Sequence, residues 1–237
     1  MNTIKRYYPF WGFLGIMLLT MVLFTAVSNK AIDAFSSHSV SGDHPVIVID
    51  PGHGGIDGGA TSCYGVLESG INLQIGLTLR DLMHLLGFSI VMTRTQDISI
   101  YTSGDTIAAQ KVSDLRERVR ITNTYTNGYL ISLHQNKFTD GQYKGAQVFY
   151  SNNDISKTLA GQLQESLIAT LNPGSNRTIK SGRGIYLLEH ITQPGVLIEC
   201  GFLSNEKEAR DLTDPEYQKR LCMVIASVYS RYLFSLT

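Results

Sequence analysis

The chain of 237 residues carries 20 Lys+Arg against 20 Asp+Glu, so it has neither the basic excess of a nucleic-acid binder nor the acidic excess of a solvating tail. Apolar residues make up 43% and charged residues 17%, with 22 glycines and only 6 prolines, which excludes a disordered, collagen-like or low-complexity chain.

Lys5 and Arg6 precede residues 7–29, a stretch without charge whose centre, residues 10–24, is apolar. As a helix rising ~1.5 Å per residue, about 20 such residues cross the ~30 Å hydrocarbon layer. Residues 1–29 are therefore expected to be a membrane signal/anchor helix with its N-terminus inside. A cleaved signal peptide is the alternative, although Ala26-Val27-Ser28 offers only a weak small-x-small cleavage site. Residues 30–44, with His38 and His44, read as a polar tether. Removing residues 1–40 takes away Lys5, Arg6, Lys30 and Asp33 and leaves a net charge of −2, so the exported part is also near neutral.

Residues 46–49 are a short apolar run ending at Asp50-Pro51-Gly52, the pattern of a buried strand followed by a loop. Ile71, Ile75, Leu79, Leu82 and Leu86 recur at helical spacing before Gly87, predicting a helix over about 68–86. Strand patterns follow at 88–92, 129–133, 145–150, 184–188 and 195–198. Between them a helix is expected from near Asp114, and another carries Leu159, Leu163, Leu167 and Leu171. A last helix starts at Pro215, a suitable first-turn residue, and runs through Leu221, Val224, Ile225 and Val228. Strands alternating with helices predict a single α/β domain over 45–237: a mostly parallel twisted sheet of about six strands with helices on both faces. Cys63, Cys200 and Cys222 are odd in number and lack a C-x-x-C spacing, so at least one thiol is free or bridges to another molecule, and a Cys200–Cys222 bond is left open.

Three candidate functional residues sit where strands end. His53 follows the first strand among five glycines, His134 follows residues 129–133, and Glu199 follows residues 195–198. Ligands of open α/β sheets bind beyond the carboxyl ends of the strands. Glu68 opens the first helix, whose chain comes from the His53 loop. Two imidazoles and a carboxylate are enough protein ligands for a catalytic zinc that keeps its fourth position for water, and a further carboxylate could take that water's proton. Each residue also has an ordinary reading: a hydrogen-bonded histidine at a strand end, or a helix-dipole partner at a helix start. Asp50 and Asp57 flank His53, and either could orient its imidazole or cap the loop. A structural salt bridge is expected for Arg94, and an exposed strand-end position for His190.

The segments Ile49-Asp50-Pro51-Gly52-His53-Gly54-Gly55, Leu67-Glu68 with Asn72-Leu73, Met92-Thr93-Arg94, Ser132-Leu133-His134-Gln135-Asn136 and Leu197-Ile198-Glu199-Cys200-Gly201-Phe202-Leu203-Ser204-Asn205 resemble, in order, the blocks of the zinc-dependent N-acetylmuramoyl-L-alanine amidases. Leu115-Arg116-Glu117-Arg118, followed by Asn123, is similar to the family's Leu-x-x-Arg helix. The resemblance implies Zn2+ held by His53, Glu68 and His134, with Glu199 as catalytic acid/base and peptidoglycan as substrate. It further implies a role in the spore cortex, where this cut prepares muramic-δ-lactam. Larger relatives carry a longer Arg-Gly-Val-Lys segment where this chain has the compact Ser181-Gly182-Arg183-Gly184-Ile185. Two alternatives stand beside the amidase reading: a zinc peptidase of stem peptides, and a catalytically silent, membrane-tethered peptidoglycan-binding protein. An activating protein partner is left unidentified.

Overall fold

The computed structural model describes residues 45–236; the expected anchor and tether, with His38 and His44, lie outside them. The apolar run after Pro45 forms β1 (Val46–Pro51), buried from Ile47 onward as a strand covered on both faces must be. The first helix, α1 (Glu68–Leu85), lies within one residue of its expected bounds, and it buries Ile71, Ile75, Leu79 and Met83. β2 (Ser89–Met92) follows.

The next helix, α2 (Ile107–Thr124), begins seven residues before the expected Asp114. Its start is marked by a cap, not by periodicity: the Thr106 hydroxyl accepts from the Ala109 amide at 3.2 Å, while Ile107 and Val112 of the first turns are exposed. β3 (Gly128–Asn136) and β4 (Gln147–Tyr150) match their expected cores, and α3 (Asp154–Thr170) is capped by Asn153.

The expected strand over 184–188 is not one. Its place in the sheet is taken by β5 (Lys180–Ser181), and the apolar residues form a short helix, α4 (Tyr186–His190). A five-residue apolar run carries no period that separates strand from helix. Here the adjacent Leu187 and Leu188 are both buried, and Glu189 turns back to accept from the Gly184 amide at 2.8 Å, closing the turn. β6 (Gly195–Phe202), α5 (Glu206–Asp211), which the sequence pattern did not predict, and α6 (Pro215–Phe234) complete the described chain.

The six strands form one sheet in the order β2-β1-β3-β6-β4-β5. All neighbours are parallel except β4 and β6, which run antiparallel. On one face α1, α3 and α6 pack Ile75, Leu79, Leu163, Leu221 and Ile225 against Ile47, Ile49, Ile131, Leu133 and Ile198. On the other, α2 and α4 cover Val48, Leu130 and Leu197 with Val119, Leu187 and Leu188. At about 25 cal/mol per Å² of buried apolar surface, these two layers supply the main drive to fold. Cys200 and Cys222 are buried in the larger layer, and all three cysteines are free, so no Cys200–Cys222 bond forms. The chain leaves β1 through α1 to one side and returns through α2 to pair β3 on the other side of β1. That makes the C-terminal ends of β1 and β3 the switch point of the sheet.

Candidate metal centre

Alternation along β3 and β6 decides which side chains reach the switch point. Ile131, Leu133, Ile198 and Cys200 belong to the α1/α3/α6 core, so Ser132, His134 and Glu199 face the other way, and His134 pairs in register with Glu199. His53 sits just past β1 with φ of 61°, a left-handed backbone that a histidine rarely adopts. Two buried arginines hold that conformation. Arg118 of α2 donates to the carbonyls of Pro51 (2.9 Å) and His53 (2.7 Å), and Arg94 donates to those of Pro51 (2.9 Å) and Gly52 (3.0 Å). Arg94 also reaches Ser69 O at 2.8 Å. The expected salt bridge of Arg94 is thus subordinate: Asp97 lies 3.9 Å away, and the guanidinium mainly serves backbone carbonyls. Burial, with the like charge of Arg118 nearby, lowers the Arg94 pKa to about 10.

His53, Glu68 and His134 converge so that one ligand atom from each lies within 4.8 Å of the others. The Glu68 carboxylate is central: His134 Nδ1 is 3.1 Å and His53 Nε2 3.3 Å from its Oε1. The Gln135 amide (3.0 Å) and Asn72 Nδ2 (3.3 Å) also donate to Oε1, and the Ala60 amide (2.9 Å) donates to Oε2. The two imidazoles meet edge-on with centroids 4.9 Å apart. Space for this packing comes from two glycines. A Cβ on Gly52 would lie 2.1 Å from His134 Nε2, and one on Gly59 would lie 2.6 Å from Glu68 Oε2 and 2.7 Å from His53 Cδ2.

Of the two aspartates flanking His53, only Asp57 holds the imidazole, with Oδ2 2.9 Å from Nδ1, and Lys111 Nζ in turn lies 2.8 Å from Asp57 Oδ1. With Asp57 on Nδ1, Nε2 is the nitrogen that faces Glu68 and would bind a metal. Asp50 instead accepts from Arg118, Thr93 and Ser132 in the interior. Burial alone would raise the Asp50 pKa, but the Arg118 charge and the two hydroxyls outweigh it and hold the carboxyl below its ordinary value. Burial likewise opposes charge on His53, yet hydrogen bonds and charge from Glu68 and Asp57 raise its pKa to about 9.

The donor set fits a zinc ion: two imidazole nitrogens and a carboxylate oxygen, all aimed at one point, with an aspartate orienting one imidazole. Glu199 lies beside this set. Its Oε2 is buried with no hydrogen-bond partner, which is an expensive state for a carboxylate. Burial pushes its pKa up and the negative charge of Glu68 adds to this, while His134 and His53 pull it down. A cavity of about 220 Å³ opens from His53 and His134 towards Leu115, Ile185, Tyr186 and Leu197. The helix in place of the expected strand thus builds one wall of it. His190 is exposed as expected, though at a helix end, where its ring stacks on Tyr186 at 3.9 Å. Sequence reasoning missed Lys111 and the Asn72–Gln135 pair (3.0 Å); for Asn72 a signal existed, one helical turn after Glu68 on the same face.

Comparison with known proteins agrees with this geometry. Residues 47–228 match the family described as N-acetylmuramoyl-L-alanine amidase. The germination-specific N-acetylmuramoyl-L-alanine amidase of Bacillus subtilis (strain 168) is 34% identical over 225 residues, covering 92% of each chain. Among solved structures, the CwlD amidase from Clostridioides difficile, in complex with the GerS lipoprotein, is 38% identical with a TM-score of 0.77, covering 80% of this chain and 98% of that one. An N-acetylmuramoyl-L-alanine amidase from Clostridium difficile 630 is 28% identical with a TM-score of 0.70, over 81% of this chain and 98% of that one. A family match across most of the folded domain, on a sheet that gathers two histidines and two glutamates at its switch point, makes this chain a member of the N-acetylmuramoyl-L-alanine amidase family, acting on cell-wall peptidoglycan.

Proposed function

We propose that the chain is a zinc-dependent amidase of spore-cortex peptidoglycan in which His53, Glu68 and His134 hold the metal and Glu199 is the acid/base. The observation that carries this is the unpaired, buried Glu199 oxygen beside three converging ligand side chains. Zinc bound there supplies a Lewis acid for the lactyl carbonyl of N-acetylmuramic acid and lowers the pKa of water from 15.7 towards about 7. Asp57 holds His53 in the tautomer that presents Nε2. Arg94 and Arg118 fix the backbone that carries that imidazole. Glu199 accepts the proton of the attacking water on its free Oε2 and returns it to the departing L-alanine nitrogen, a contribution of typically ~10²–10⁴-fold. The atoms balance: water adds across the amide, leaving a lactyl carboxylate and a free amino group on the stem.

The cortex role rests on the likeness to the germination-specific relative, and placement outside the cytoplasmic membrane rests on the uncharged residues 7–29 behind Lys5 and Arg6. The similarity to an amidase solved with a lipoprotein supports a protein partner for this chain. The test is to incubate the full chain in detergent, with added zinc and with a chelator, on muramyl peptide and on cortex peptidoglycan, and to identify the new ends by mass spectrometry. Chelator-sensitive release of peptides starting with L-alanine is expected. Cuts inside the stem would make the protein a peptidase, and no cut by metal-loaded protein would point to a missing activating partner or to a binding role.

A further inference from the structure

A second cavity, of about 580 Å³, lies apart from the one beside the histidines. It lies between the loops 137–145, 172–177 and 203–211. Because β4 runs antiparallel to β6 and parallel to β5, all three loops rise from the same edge of the sheet as His134 and Glu199, on the flank away from α2 and α4. Tyr143, at 43% exposure, lines this cavity, and Phe138, at 53%, stands next to it on the same loop, with ring centroids 5.0 Å apart. Both pack on the buried Phe202, at 6.2 and 6.3 Å, and Arg177 lies 4.7 Å from the centre of the Phe202 ring. Phe202 has its own cover in Arg177, so burial of Phe202 does not by itself explain two half-exposed rings.

The loop that presents them is tied down along its length. The Phe138 amide donates to Ser204 Oγ (3.2 Å), Asn205 Nδ2 to Gly141 O (2.7 Å), Arg177 Nε to Lys144 O (2.8 Å), and the Gly145 amide to the buried Glu208 (2.7 Å). A surface fixed this way loses little freedom when something binds. Beside Tyr143 the cavity wall is mixed, with the polar side chains of Lys144, Asn176 and Asp211 next to Leu171 and Pro173. An exposed ring face next to planar and charged hydrogen-bonding groups suits a ligand with an apolar C–H face and a polar rim. A pyranose has that shape: its axial C–H bonds meet the negative π face while its hydroxyls and acetamido groups reach outward.

We infer that Phe138 and Tyr143 form a saccharide ledge that holds the glycan strand of peptidoglycan one or more sugars away from the bond being cut. The inference rests on the amidase reading for the identity of the polymer. Phe202 is three residues beyond Glu199, across a bulge in β6 that pairs the two with Asn136 and His134, so the advance along the sheet is roughly 7 Å. A glycan lying on the ledge would therefore reach the metal centre with its muramic acid, leaving the cavity between α2 and α4 to the stem.

The test is calorimetric titration of the full chain in detergent with a peptide-free tetrasaccharide of alternating N-acetylglucosamine and N-acetylmuramic acid, and separately with sugar-free stem peptide. The tetrasaccharide holds no scissile amide, so binding is read without turnover. Expected is saccharide binding that weakens about tenfold, or about 1.4 kcal/mol, in Phe138→Ala/Tyr143→Ala and that the ring-preserving Phe138→Tyr/Tyr143→Phe retains. Equal saccharide affinity in parent and alanine variant, no saccharide binding by the parent, or loss of stem-peptide binding instead would each overturn the ledge. Release of L-alanine from muramoyl-L-alanine by the parent, measured in parallel, tests the amidase reading separately.

Discussion

Replacing Arg118 by Met should expose how the metal centre is held. Arg118 is 2% exposed, and its guanidinium donates to the carboxylates of Asp50 and Asp114 and to the carbonyls of Pro51 and His53. Methionine keeps the aliphatic stem and removes every one of these bonds, leaving the fully buried Asp50 with only Thr93 and Ser132 as donors. Removing one partner of a buried ion pair costs about 3–5 kcal/mol, because the other charge stays in the interior. At roughly 2–4 °C per kcal/mol for a domain of this size, Tm should fall by about 6–20 °C. Asp50→Asn removes that stranded charge, so the double variant should lose less than the sum of the singles, with a coupling of about 0.5–3 kcal/mol. The sign with pH follows from the lowered pKa of Asp50. Its contribution is fully present above the unfolded carboxyl pKa of about 3.9 and is lost as pH falls through the lower folded value. Asp50→Asn stability should therefore change less on acidification below that point. Urea unfolding followed by circular dichroism from neutral to acidic pH reads all of this. A loss under about 1 kcal/mol for Arg118→Met at neutral pH, or strictly additive variants, would refute the role given to the pair.

Glu199→Gln should lower turnover by about 10²–10⁴-fold while zinc content, read by atomic absorption, stays at the parent level; loss of bound zinc would show that Glu199 is a ligand instead. Asp57→Asn should weaken zinc binding by about 10–100-fold in competition with a chromophoric chelator, because His53 then loses the partner that fixes its tautomer; unchanged affinity would leave Asp57 as a loop cap. Gly52→Ala should lose activity and zinc together, since the new methyl would lie 2.1 Å from His134 Nε2, and a fully active variant would contradict that packing. Chelation of the parent should remove a stabilisation of RT ln(1 + [L]/Kd) and so lower its Tm, and an unchanged Tm would argue against a bound ion in the folded state.

The sequence by itself determined where the chemistry-bearing residues leave the sheet. His134 and Glu199 directly follow apolar runs, His53 comes four residues after one, and Glu68 opens a periodic helix; each is a local signal, written within a few residues of the side chain it marks. The strand ends, the helix stop at Gly87 and the start at Pro215 are legible for the same reason. Where only cross-chain packing decides, the sequence was silent. The run 184–188 has too few residues to show a period, and its adjacent buried leucines became helical because the second face of the sheet needed cover there. Asp50 and Asp57 looked equivalent beside His53. The tertiary structure separated them by bringing Arg118, Thr93 and Ser132 to Asp50 from up to 82 residues away, which left Asp57 to hold the imidazole. The same distance hid Lys111 and the two-arginine clamp on the His53 backbone. A short-range pattern fixes where a side chain starts, but the partners that set its charge, tautomer and freedom come from strands and helices that meet only once the sheet has formed.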